Sequence, residues 1–168
     1  MTTFNTVGYT AKSRNPLYSG GKMLRCVHAE LFVDASELTD GDVFVLARNL
    51  PVGARIHRIM SPNATPALTA AADNDLGFYK ENSEGVLVAI DADILVDGGD
   101  LSSALSTRDL LNNLNTSLDQ TATIGDLLSL QADTAPTGGV FLCMTMNTKS
   151  TADGTLDLDV VIEMPTTN

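Results

Sequence analysis

Leu156-Asp157-Leu158-Asp159-Val160-Val161-Ile162-Glu163 repeats apolar and mostly acidic side chains with a period of two. Successive side chains of a β-strand point to opposite faces. The run therefore reads as a strand with Leu156, Leu158, Val160 and Ile162 toward a core and Asp157, Asp159 and Glu163 toward solvent. Just upstream, Val140, Leu142, Met144 and Met146 alternate with Phe141, Cys143, Thr145 and Asn147. A loop ending in Asp153-Gly154, a turn dipeptide, joins the two runs, so a closing hairpin is expected.

The same grammar extends toward the N-terminus. Arg25 to Val33 is strand-like. Asp42 to Arg48 is apolar on both faces in its middle, as in a strand buried on both sides or lying at a subunit contact. Leu50-Pro51-Val52-Gly53 suits a type I turn, and Ala54 to Ser61 returns as a strand, so residues 42–61 read as a hairpin. Ala67–Ala72 and Leu76–Lys80 are expected strands with Asp73-Asn74-Asp75 as the turn between them. Val86–Ile90 is a further strand, and residues 91–100 read as a loop. Leu101, Leu105, Leu111, Leu114 and Leu118 are spaced for a short amphipathic helix. Thr123-Ile124-Gly125-Asp126 resembles a capping box, with helix expected within 124–130. Seven or eight short strands with frequent turns predict an all-β fold, a single β-sandwich, with one or two short helices between residues 101 and 130.

Residues 1–24 are polar, aperiodic and contain Asn15-Pro16 and Gly20-Gly21, both loop signals. They read as an extended N-terminal arm ahead of a sandwich domain over 25–168. The arm lacks the apolar run of a secretory signal. No stretch is long and apolar enough to span a bilayer, so no membrane role is expected.

The 168 residues carry a net charge of −11, which disfavours nucleic acid as a partner. The charge is divided. Residues 1–58 hold seven basic and five acidic residues, the rest three basic and 16 acidic. No acid precedes Glu30. Lys12, Arg14, Lys22 and Arg25 are thus candidates to anchor the arm on an acidic shell or a neighbouring subunit. Phe44 and Leu46, in the doubly apolar strand, are candidates for a subunit contact.

No constellation points to catalysis, so the chain is not expected to be an enzyme. Cys26 and Cys143 read as free thiols. Cys26 and His28 share a strand face, but a metal site needs further ligands at regular spacing, and packing is the expected role of both histidines. Asp91, Asp93, Asp97 and Asp100 lack the EF-hand spacing and read as a solvated acidic loop. No glycine-rich phosphate loop or nucleophile elbow occurs. No cofactor and no metal are expected.

The segment Asp42-Val43-Phe44-Val45-Leu46-Ala47-Arg48-Asn49-Leu50-Pro51-Val52-Gly53-Ala54-Arg55-Ile56 resembles one common in structural proteins of tailed bacteriophages. Pro66-Ala67-Leu68-Thr69, Leu76-Gly77-Phe78-Tyr79, Ile124-Gly125-Asp126-Leu127-Leu128, Gly138-Gly139 and Asp153-Gly154-Thr155-Leu156-Asp157-Leu158 follow in the same order. The resemblance covers residues 40–163; the arm has no counterpart. It implies a virion structural protein made in the host bacterial cytoplasm, most specifically a capsid decoration or cement protein. Such proteins are commonly jelly-roll-like sandwiches. They sit as homotrimers on the capsid exterior, with the major capsid protein as partner. A tail, neck or fibre-base component is the nearest alternative. A carbohydrate-binding sandwich is the alternative of another class, and the absence of Trp counts against it.

Overall fold

A computed structural model describes residues 3–5, 17–19, 22–61, 68–102, 110–111, 119, 121–131 and 135–165. Nine strands and a short helical turn are the elements described end to end: β1 (Thr3–Asn5), β2 (Leu17–Ser19), β3 (Lys22–Val33), β4 (Asp42–Leu50), β5 (Arg55–Met60), β6 (Asn74–Glu81), β7 (Leu87–Gly99), α1 (Ile124–Leu127), β8 (Val140–Met146) and β9 (Gly154–Met164). They build two sheets, ordered β1-β4-β8-β6-β7 and β2-β3-β9-β5. All pairs are antiparallel except β1 against β4. The expected all-β sandwich is the observed fold.

The alternation in β9 has the consequence read from sequence. Leu156, Leu158, Val160 and Ile162 are buried between the sheets. Opposite them across the ladder stand Leu31, Ala29 and Val27 of β3, also buried. Phe44, Leu46, Phe78, Leu142 and Met144 fill the core from the other sheet.

Both supposed hairpins are corrected. β4 pairs with β1 and β8, whereas β5 pairs with β9 in the other sheet. The turn at Pro51 is present, with Ala54 N–H donating to the Pro51 carbonyl at 2.9 Å, but it carries the chain between layers. β8 and β9 likewise belong to different sheets. From β3 to β9, only β6 and β7 are consecutive strands hydrogen-bonded to each other. Facing orders β3-β9-β5 and β4-β8-β6-β7 are those of a jelly roll, lacking among the described residues the strand that would lie beyond β5.

Other expectations also change. Residues 68–72 form a turn, not a strand: Ala71 N–H donates to the Leu68 carbonyl, and Ala70 has φ of 65°. Asn74 and Asp75 are not a turn but the buried start of β6. Residues 91–99 are strand, because β7 continues to Gly99 past register shifts that keep it paired with β6. One of these shifts brings the Asp91–Ala92 backbone directly over Gly77, where a Cβ would collide with it.

At the capping box Thr123 Oγ1 accepts from Asp126 N–H at 3.1 Å, and Thr123 N–H donates to Asp126 Oδ2 at 2.9 Å. The turn it starts is anchored on the β4–β5 corner by Ile124 N–H to the Ala54 carbonyl and Gly125 N–H to the Val52 carbonyl. Of the helix expected over 101–118, Leu110 and Leu111 are helical and buried; residues 103–109 and 112–118 lie outside the described residues. Within the arm, β1 and β2 pair with the chain's own β4 and β3, while residues 6–16 and 20–21 lie outside the described residues.

Candidate functional site

The outer face of the β2-β3-β9-β5 sheet gathers the side chains that β9 alternation turns away from the core. Register places Asp159 opposite His28, and Glu163 opposite Arg55. His28 Nδ1 lies 2.9 Å from Asp159 Oδ1. His57 Nε2 lies 3.0 Å from Glu163 Oε2, and an Arg55 guanidinium nitrogen lies 3.8 Å from Glu163 Oε1. Asp159 and Glu163 are therefore partly buried members of cross-strand pairs, whereas Asp157 stands opposite Glu30. Pairs this exposed contribute about 0–1 kcal/mol each. Their signal in the sequence is an alternate-residue match: His28 in β3 and Arg55 and His57 in β5 face Asp159 and Glu163 of β9 once register is known.

This face also carries Cys26, half-buried, two positions from His28 and about 7 Å along the strand. No group of three or more His, Cys, Asp or Glu able to hold a metal occurs among the described residues. Cys26 and Cys143 form no disulfide, and they lie in different sheets. Burial pushes the Cys143 thiol up to about 12, which removes it as a nucleophile at neutral pH.

The outer face of the five-stranded sheet is different. Val43, Val45, Tyr79, Leu87, Phe141 and Cys143 form a second buried apolar cluster. Tyr79 Oη shares a 2.6 Å hydrogen bond with Thr145 Oγ1, and burial raises the phenol above its usual value. A cleft of about 320 Å³ opens beside this cluster, lined by Val45, Arg48, Glu81, Val86, Leu87 and Phe141. At the start of β7, Val88 and the preceding Val86 are 42% and 51% exposed.

Asp91 and Asp93 share a hydrogen bond on β7, where the Asp91 carboxyl is raised first by burial and then by Asp93. They belong to a strand and not to the acidic loop expected from sequence. Asp100, at its end, accepts from the Ser102 N–H at 2.8 Å and from the Ser102 hydroxyl.

The partner-binding candidates are scattered. Phe44 and Leu46 lie in the inter-sheet core and present 2% and 0% of their surface, so they offer nothing to a partner. The face apolar in addition to the core is that of Val43 and Val45, and it too is buried within the chain. Arg25 is exposed near one end of β3. Lys22 begins that strand, and Lys12 and Arg14 lie outside the described residues. Among the described candidates, exposed Arg25 and the buried Phe44 and Leu46 do not form one site.

No protein-family model, no curated protein and no solved structure matches the chain. Among the described residues no helix is long and apolar enough to cross a membrane.

Proposed function

We propose that this protein is a structural component of a tailed-bacteriophage virion, a decoration protein seated on the outer surface of the capsid shell. The observation that carries the reading is the jelly-roll strand order, an architecture shared by viral capsid and lectin domains; at the level of fold this is analogy. The motifs that resemble phage structural proteins fall at positions with a structural task. Asp42–Ile56 runs from one sheet to the other. Leu76-Gly77-Phe78-Tyr79 contains the glycine that β7 crosses. Ile124-Gly125-Asp126 caps the turn that holds the corner.

Net charge supports an outer position. A body this acidic is repelled by packaged DNA, so it suits the outside of a shell and not its lining. The lectin-like alternative has less support, because the aromatic lining the cleft, Phe141, is buried and Phe32 is the one exposed Phe among the described residues.

The test is co-sedimentation of the purified full chain with shells that lack any decoration protein. Saturable binding that weakens with salt supports the reading. Absence of binding to shells, together with binding to isolated tails, moves the protein to the tail. Binding to a glycan array without binding to either particle replaces the reading with a carbohydrate-binding one.

A further inference from the structure

We propose that the outer face of the β2-β3-β9-β5 sheet is a self-association surface, on which a second copy of this chain docks about a two-fold axis beside His28 and Asp159. Register sorts that face into five rungs. Phe32 stands opposite Thr155 in the first, and Glu30 opposite Asp157 in the second. His28, Asp159 and Met60 form the middle rung. Cys26, Val161 and Arg58 make the fourth, and Leu24, Glu163 and Arg55 the last. Phe32 is 66% exposed, the most of any large apolar side chain among the described residues. Glu30, His28 and Arg58 are exposed as well, and Leu24, Asp157 and Val161 are partly so.

Charge on this face is split along the strands. Glu30 and Asp157 lie directly opposite each other, and like charges so placed destabilise a sheet. Among the described residues neither has an ion-pair partner. Two and three rungs away, Arg58 and Arg55 outnumber Glu163. One end of the face is therefore acidic and the other net basic, which makes the face complementary to a reversed copy of itself.

A two-fold axis lying across the strands at the middle rung reverses the rungs on the second copy. The first rung then lies over the last, and the second over the fourth. Phe32 meets Leu24 of the second copy, and Glu30 and Asp157 meet the rung of Arg58, so apolar covers apolar and carboxylate faces guanidinium. Each such contact is made twice in an isologous interface. Asp159 comes close to its own image at the axis, but each Asp159 is already engaged by His28 Nδ1 at 2.9 Å. Stacked sheets pack about 10 Å apart with strands within about 30° of one another. Eight residues of strand, about 26 Å, across three to four strands about 4.8 Å apart give roughly 400–500 Å² per copy. That is the low end of specific interfaces, so the dimer is weak and dissociates on dilution.

The inference does not rest on the decoration reading and would hold for a protein that never meets a shell. Sedimentation velocity with light scattering on the full chain tests it, with circular dichroism to confirm folding. The wild type is expected to move from 17.7 kDa toward twice that mass as its concentration rises to about 100 µM. Phe32→Ala removes only an exposed side chain and is expected to weaken the dimer at least about tenfold. Glu30→Arg should weaken it too, and Glu30→Arg combined with Arg58→Glu should restore it. If Arg58→Glu misfolds, Phe32→Ala and Glu30→Arg carry the test alone, since both positions are exposed. Val88→Lys, on the other sheet, should leave association unchanged. A wild type that stays at 17.7 kDa over that range overturns the proposal, as does a dimer or trimer that Phe32→Ala and Glu30→Arg leave intact.

Discussion

Replacing Gly77 with alanine tests the packing of β7 on β6 most directly. The backbone there has no left-handed torsion that demands glycine; the constraint is space. A Cβ at this position would meet the Asp91 carbonyl oxygen and the carbonyl group of Ala92 well inside contact distance. These are backbone atoms, so no rotamer change relieves the collision, and the bulged part of β7 must move as a unit. Overpacking of a fitted site costs about 1–3 kcal/mol, with rigid backbone placing this case at the top. The Gly-to-Ala gain from a less disordered unfolded chain offsets about 0.4–1 kcal/mol. The net expectation is about 2 kcal/mol of destabilisation. For a domain of this length each kcal/mol moves Tm by about 2–4 °C, so Tm should fall by about 4–8 °C. Gly138→Ala is the control, because nothing lies within 4 Å of its added methyl. Thermal melts followed by circular dichroism, with urea unfolding at an unchanged m-value, read the difference. A Gly77→Ala protein that melts within about 1 °C of both the wild type and the control would refute the close approach of β7.

Phe44→Ala should cost about 3–5 kcal/mol in urea unfolding, since Phe44 sits in the inter-sheet core; a loss below about 1 kcal/mol would return Phe44 to the surface. Titration with a thiol reagent at pH 8 should modify Cys26 in the native protein, and Cys143, whose thiol burial pushes up to about 12, only after unfolding; two thiols reacting natively would contradict that burial. Hydrogen bonds from the Thr123 side chain and backbone lower the Asp126 carboxyl, so its stabilising contribution is complete above the unfolded value near 4 and is lost as pH falls through the lower folded value. Asp126→Asn should therefore melt below the wild type at pH 7 and alongside it at about pH 2; a gap that persists in acid would assign the loss to something other than charge. Asp91 has the opposite sign: its carboxyl is raised by burial and by Asp93, so stability falls as pH rises from about 4 through the raised value. Asp91→Asn should melt above the wild type at pH 7 and lose that advantage below about pH 4, and no gain at pH 7 would discount the repulsion.

Strand identity was legible wherever one face is core and the other is not. β9 and β3 show this, and Leu156, Leu158, Val160 and Ile162 are buried as their spacing demands. The capping box was legible because its hydrogen bonds are local, joining residues three apart. Residues 91–99 were misread because Asp91, Asp93 and Asp97 interrupt an apolar pattern, and acids at an edge strand cost little when they face outward. Burial of Asn74 and Asp75 was hidden for a related reason. Most of their partners are remote: Asn74 Nδ2 donates to the Gly99 carbonyl as well as to the nearby Ala71 carbonyl, and Asp75 accepts from Gly98 N–H and Asn147 Nδ2. A polar residue satisfied from 23 or 72 positions away looks, in sequence, like a turn residue.

The two misread hairpins have one cause, and it bears on function. Turn chemistry at Leu50-Pro51-Val52-Gly53 and at Asp153-Gly154 specifies that the chain reverses. It does not specify which strand the returning segment meets. In a two-sheet fold that choice belongs to the faces: β4 and β8 are buried on both sides and must lie inside a sheet, so they pair with each other. β9, apolar on one side only, takes the centre of the other sheet between β3 and β5. Each strand's neighbour is thus decided by how many of its faces need covering, a property read over the whole chain and not at the turn. By the same accounting the jelly-roll order that supports the proposed function follows from the faces and not from any one turn.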